Sequence, residues 1–255
     1  MSRSIWTQCA AKFSFRALAF DAWRVVESQH ITSTRKLVDS DSEQALLEEL
    51  VDRVKPPAPA GKKFASLHYL LFTPFRHPPL RHGSRFGTVT EPGIWYGSKD
   101  ERTAFAEVAY YRLLFLDGTK ADIEPITVEL TAFAAAVATK KGADLTRLPF
   151  LHYKRALTSK TSYDATHVVG HDMREAGVEV FLFTSARAPG DGVNVGLFAP
   201  AFAKKSPKNV ETWICTAARK KVELVEKIFP GAPARRFAFA REEFEVKGAL
   251  PAPGT

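Results

Sequence analysis

Sulfur chemistry is nearly missing from this chain. Cys9 and Cys215 are its two cysteines, too few for a disulfide framework and not spaced as metal ligands. Cys215 sits in the apolar run Trp213-Ile214-Cys215 and reads as a small buried hydrophobe. Long apolar runs are missing too, so no bilayer-spanning helix is expected. The opening stretch MSRSIWTQCAAKFSFRALAF is interrupted by Gln8, Lys12 and Arg16 and makes a poor secretory signal. A cytoplasmic protein is expected. No G-x-S-x-G, Walker or Rossmann fingerprint occurs, which argues against a hydrolase-type serine and a glycine-cradled nucleotide. The GDG at 190–192 reads as a turn because no helix follows it. No internal repeat, helix-turn-helix, zinc finger or basic zipper is present.

What the chain does have is an ordinary globular composition, with 45% hydrophobic and 25% charged residues in 255 positions. Lysine and arginine outnumber the acids, 36 − 28 = +8. That surplus favours acidic partners such as dinucleotides, nucleic acid or an acidic protein. The basic residues are spread along the chain, and without a binding module direct nucleic-acid binding is not expected.

The stretch from Arg85 to Arg112 organises the rest. Ile94, Trp95 and Tyr96 form a short β-favouring run between Pro92-Gly93 and Gly97. Ser98 and Glu101 spell a capping box. From Ala104 to Phe115 a helix is apolar almost all round, as a buried helix is, and Asp117-Gly118 ends it. Glu107 and Arg112 are its only charges in that span. A carboxylate there needs a partner or a wet cleft. It reads either as a structural ion pair or edge carboxylate, or as a functional acid.

Elsewhere, 39–54 reads as a helix with an apolar stripe of Leu46, Leu47, Leu50, Val51 and Val54. The proline-rich 55–63 reads as a linker, and the extension before it is expected to pack on the main domain. Leu67 to Phe75 is apolar and broken by Pro74, and Pro78-Pro79 follows. Arg76 and Arg81 share a basic loop with Arg85. Clustered guanidiniums beside a turn suit a pyrophosphate, although an exposed basic loop looks the same in sequence. Ile126 to Leu130 alternates as a strand, while Thr131 to Thr139 is ambiguous between strand and helix. Residues 151–175 read as partly helical, Val178 to Thr184 as a strand ending at Ser185, and 188–192 as a turn. Asn194 to Phe198 reads as a short strand or irregular, Thr212 to Val225 as one or two strands, and 235–244 as a last strand. His167 and His171 share a helical face, but no third ligand accompanies them, so no metal site is expected. Ser185 taken alone is a strand-end hydroxyl bonded to backbone.

Four polar residues in their contexts resemble the RES family, named for its Arg, Glu and Ser. They are Arg85 in SRFG, Tyr96 in GIWYGS, Glu107 in TAFAE and Ser185 in FLFTSAR, and similarity continues through NVGLFAP from Asn194 and through ETWICTAARKKVELV. WRVVESQHITSTRKLVDS resembles N-terminal segments of longer members. Where the family commonly has G-R-W-N, this chain has Ser84-Arg85-Phe86-Gly87.

The resemblance implies an α+β, ADP-ribosyltransferase-like mixed sheet domain at 63–246, preceded by a mainly helical extension at 1–62 and followed by a disordered tail at 247–255. It implies an enzyme with NAD as substrate, no metal and no further cofactor, cleaving the nicotinamide–ribose bond by hydrolysis or phosphorolysis. Glu107 would stabilise the cationic ribose, Arg85 would bind phosphate, Tyr96 would orient nicotinamide or its ribose, and Ser185 would position the ribose or Glu107. Arg76, Arg81 and Asn194 join Arg85 and Tyr96 as substrate-binding candidates. Many members are toxins held by a Xre-like antitoxin, and a homodimer is compatible with this reading. Two alternatives stand beside it: an ADP-ribosyltransferase acting on a macromolecule, and a non-catalytic nucleic-acid-binding or interaction protein using the +8 surface.

Overall fold

The computed structural model describes residues 4–28, 37–57, 59–77, 79, 81–123, 125–228 and 231–252. In chain order the elements are α1 (Ile5–Cys9), β1 (Arg16–Glu27), α2 (Asp41–Val54), α3 (Tyr69–Arg76), β2 (Trp95–Ser98), α4 (Glu101–Gly118) and β3 (Ile126–Asp144). Then come α5 (Lys154–Leu157), α6 (Asp164–Glu175), β4 (Val180–Thr184), β5 (Val193–Leu197), β6 (Lys208–Ala218), β7 (Lys221–Glu226) and β8 (Arg236–Ala240). The protein is a mixed α+β fold on an eight-stranded sheet of order β1-β2-β5-β4-β3-β6-β7-β8.

β3 is the spine. Its ambiguous Ala-rich half stays extended because β1 pairs along it from Leu18↔Thr139 to Glu27↔Leu130. On the other edge β6 takes the first half and β4, in parallel, takes Gly142 to Asp144. Alanine favours helix locally, but backbone pairing on both edges overrides that preference. Because β1 also meets β2 at Trp23↔Ser98, the pairing β1-β2-β5-β4-β3 returns on itself, and β6-β7-β8 leave β3 as a second wing.

Three apolar clusters hold these layers. Phe105, Tyr110 and Leu113 of α4 pack on Trp213, Leu224 and Phe239 of the second wing. Val169 and Met173 of α6 join Trp6 and Phe150 over Phe181 and Phe183 of β4. Leu70 and Leu71 of α3 cover Trp95, Phe133 and Val195.

The structure departs from the sequence expectations in several places. The extension is not only helical, since β1 is built into the sheet. The apolar stripe of α2 packs down only in part: Leu47 and Val51 are half-buried, while Leu46, Leu50 and Val54 are 55%, 48% and 82% exposed. Pro74 lies inside α3 rather than ending it, and of the following proline pair only Pro79 is among the described residues. In WRVVESQHITSTRKLVDS, residues 29–36 lie outside the described residues. The cap of α4 is Asp100, whose side chain accepts from the Thr103 N–H, so the Ser98 capping box does not form. Ser98 is instead the buried last residue of β2. The described part of the tail is ordered against the core: Leu250 is buried with Leu113 and Phe244, and the Tyr110 hydroxyl donates to the Pro251 carbonyl. Leu250 is the one large apolar side chain of 248–255, and its burial anchors a segment whose composition suggests disorder. Residues 253–255 lie outside the described ones.

Candidate functional site

An open cleft of about 830 Å³ runs between α4, the β1–β2 region and the Arg85 loop. α4 is apolar all round, yet it is not wholly buried. Tyr111 and Phe115 remain 51% and 57% exposed, and with Glu107, Val108 and Arg112 they form one wall of the cleft. The missing polar face is therefore explained by a second apolar surface turned to the cleft. Arg112 pairs with Glu27 of β1, which also lines it.

Glu107 is held by neutral donors. Ser185 Oγ and Asn194 Nδ2 each lie 2.6 Å from its Oε1. Both donors are fixed in turn. The hydroxyl of Ser98 donates to Asn194 Oδ1 at 2.7 Å, an arrangement set by the register Ser98↔Asn194 between β2 and β5. Ser185 Oγ accepts from the N–H groups of Arg187 and Ala188 at 3.0 and 2.8 Å. The backbone-bonded reading of Ser185 therefore holds, and the same hydroxyl also serves the carboxylate. No cation among the described residues pairs with Glu107, so of the readings open in sequence the structural ion pair does not apply. Ser185 is 5% exposed and touches the cleft only through Glu107; Asn194 lines it directly.

The Arg85 loop is clamped from two sides. Ser84 and Gly87 exchange backbone hydrogen bonds of 2.7 and 3.2 Å. The Tyr96 hydroxyl lies 3.0 Å from Ser84 Oγ and accepts from the Phe86 N–H at 3.1 Å. Burial pushes that phenol up to about 12, so it stays neutral near pH 7. Behind the loop, α6 comes so close that a Cβ on Gly170 would stand 2.0 Å from the Phe86 carbonyl oxygen. The glycine that weakens the helix in sequence is what lets the helix dock. His167 Nε2 meets the Ser84 carbonyl at 2.8 Å, and His171 meets Glu91 at 3.3 Å. Both imidazoles thus have non-metal partners, and no metal-binding group occurs among the described residues.

Arg85, Tyr96, Glu107 and Asn194 thus line one cleft, with Ser185 directly behind. Arg76 and Arg81 do not join them. Arg76 Nε donates to the Pro56 carbonyl and Arg81 is exposed, and neither lines the cleft. Arg76 is the last residue of α3, and of the described residues between it and Ser84 it is His77, Pro79, His82 and Gly83, not Arg81, that line the cleft.

Sequence reasoning missed two cations. Arg24 of β1 lines the cleft, donates to the Tyr96 carbonyl and lies over the Trp95 ring. Burial pulls its guanidinium down to about 10, and its Nε is buried without a partner. Arg187 is 3% exposed and also lines the cleft. The signal for Arg24 was a cation within the largely apolar strand segment FDAWRVV; for Arg187 it was adjacency to Ser185 in TSAR.

A mixed α+β domain with an acid and an arginine across an open cleft is the class of protein that the RES resemblance implies. The RES domain model matches residues 60–217, more than half of the chain. The chain therefore belongs to the RES domain family. No curated protein matches it. Among solved structures it is similar to the M. tuberculosis MbcT–MbcA toxin–antitoxin complex, at 11% identity and a TM-score of 0.44, over 77% of this chain and 82% of that one. No helix among the described residues is long and apolar enough to cross a membrane.

Proposed function

We propose that this protein degrades NAD by breaking the nicotinamide–ribose bond. The observation that carries the proposal is Glu107, fixed by Ser185 and Asn194 and facing a cleft that Arg85 also lines. Loss of nicotinamide builds positive charge on the ribose, as in an oxocarbenium ion. A carboxylate held in advance by two donors offsets that charge without reorganising during the reaction. Arg85 supplies a guanidinium for phosphate. Tyr96 acts mainly through the Arg85 loop, because its hydroxyl is already engaged there. Asn194 holds Glu107 more than it binds substrate, since both its polar atoms are used within the protein. Water or inorganic phosphate then captures the ribose carbon. No metal enters these steps.

The biological role we infer is a toxin acting in the cytoplasm and restrained by a Xre-like antitoxin, as the MbcT–MbcA complex pairs a toxin with an antitoxin. Co-purification with such a protein from a neighbouring reading frame, and relief of growth arrest when the two are co-expressed, test that part. Purified protein incubated with NAD and no macromolecular acceptor tests the chemistry. Free nicotinamide with ADP-ribose or ADP-ribose phosphate is the expected result. Nicotinamide released only when a protein or nucleic acid is added points to ADP-ribosyl transfer instead. No NAD turnover, together with salt-sensitive DNA binding that survives Glu107→Gln, points to a binding protein.

A further inference from the structure

Beside Glu107 lies a group of cations of which the proposed chemistry has used only Arg85. Arg85 Nη1 donates to the Ser159 carbonyl at 2.9 Å and Arg187 Nη2 to the Lys160 carbonyl at 3.1 Å. Consecutive carbonyls of one loop thus bring two guanidiniums to one wall. Each stacks on a tyrosine: Arg85 lies 4.8 Å over Tyr163 and Arg187 lies 3.9 Å over Tyr110. Lys160 is the third cation. Burial, and then the charge of Arg187, hold its ammonium below the ordinary lysine value.

None of the three has a carboxylate partner among the described residues. The acids lining the adjoining 210 Å³ pocket are already engaged: Lys154 holds Asp191 at 2.5 Å, and Glu243 Oε1 accepts from the Ala240 N–H at 2.7 Å. Glu107 is taken by Ser185 and Asn194. Arg187 borders both that pocket and the main cleft, and its Nη1 is buried with no partner at all. A buried guanidinium keeps a free donor at a cost unless a ligand supplies the acceptor. Stacking on Tyr110 offsets part of that cost, and it leaves the donor free.

We propose that Arg187, with Arg85 and Lys160, is a phosphate-anion site. The planar fork of arginine matches phosphate oxygens in pairs. The anion could come from two sources, the pyrophosphate of the dinucleotide or the inorganic phosphate that captures the ribose. Because the Arg187 N–H also holds Ser185, the site is coupled to the support of Glu107. The assignment rests on the NAD reading for its biological ligand, but its test does not.

Thermal shift of the purified chain is measured with sodium phosphate, with pyrophosphate and with ADP-ribose. Stabilisation by pyrophosphate and ADP-ribose, but not by phosphate, places the dinucleotide pyrophosphate there. Stabilisation by phosphate, with ADP-ribose phosphate as the product, places the acceptor there. Either result supports the site, provided that Arg187→Gln and Lys160→Gln each weaken binding, the first on the order of tenfold to a hundredfold, while Arg53→Gln on the exposed face of α2 does not. Because Arg187 is buried, Lys160→Gln decides the matter if the first variant fails to fold. A wild type indifferent to all three ligands, or a folded variant with unchanged binding, overturns the assignment. A protein that binds anions but leaves NAD intact would sink the proposed function and leave this site standing.

Discussion

The two charged regions of the cleft are built on opposite plans. Around Glu107 the polar groups form a closed chain: Ser98 holds Asn194, Asn194 and Ser185 hold the acid, and two backbone N–H groups hold Ser185. Around Arg187, Arg85 and Lys160 like charges share one loop, and one guanidinium nitrogen is left without any acceptor. The difference separates a group prepared to act from a group prepared to receive. A satisfied network fixes geometry before substrate arrives, whereas crowded cations without a counter-charge are completed by an anion.

The contrast can be broken most severely at the acid. Glu107→Gln keeps the shape and removes the charge, so NAD turnover should fall by about two orders of magnitude or more, the scale of one electrostatic group. Arg85→Ala should cost about the same in kcat/KM, with a larger share in KM, because a phosphate contact is present before the transition state. Steady-state kinetics of both variants check this, and near-wild-type rates in both would refute the site assignment.

Support of the acid should matter less than the acid itself. Ser185→Ala removes one donor to Glu107 and should lower kcat by about tenfold to a hundredfold. In the double variant with Glu107→Gln the serine change should add almost nothing, because it acts through a carboxylate already lost. Full additivity in that cycle would give Ser185 a separate role.

The mildest prediction concerns Tyr96. Tyr96→Phe deletes the clamp on Ser84 and Phe86 and should lower kcat/KM by only about three- to tenfold, an ordinary hydrogen-bond effect. It also has an alkaline signature. Burial raises the phenol from 10.0 to about 12, so the native state keeps a proton that the unfolded chain releases. That contribution is complete below pH 10 and disappears as the pH rises through 12. Chemical denaturation between pH 9 and 12 should show a shallower loss of stability in Tyr96→Phe than in wild type. Tyr110, also raised to about 12, keeps the slope from vanishing. An unchanged slope would place the Tyr96 hydroxyl in water.

Much of the site was legible before any coordinates. A glutamate and an arginine as the only charges in an otherwise apolar helical span, an eleven-residue spacing from Tyr96 to Glu107, and a strand ending on Ser185 are properties of the chain itself. They follow from local rules of periodicity and punctuation. The arginines were harder to sort. Arg76, Arg81 and Arg85 stand within ten residues of one another, yet only Arg85 lines the cleft, because only its loop is clamped by Tyr96 and seated against Gly170. Arg24 and Arg187 enter from segments distant in sequence, and their faint local signals do not say that they face the cleft.

Strand β1 shows the same division. Its alternation with β-branched and aromatic residues is weak, and nothing within 16–27 says that it will occupy a full edge of β3. The sequence by itself determined the central helix, its lone acid and the family, because those depend on residue type and near-neighbour spacing. Tertiary structure alone decided which cations face the cleft, which hydroxyl holds the carboxylate and where the Ala-rich strand stays extended. Those outcomes depend on hydrogen bonds and burial between segments tens of residues apart, and only the closed fold brings them together.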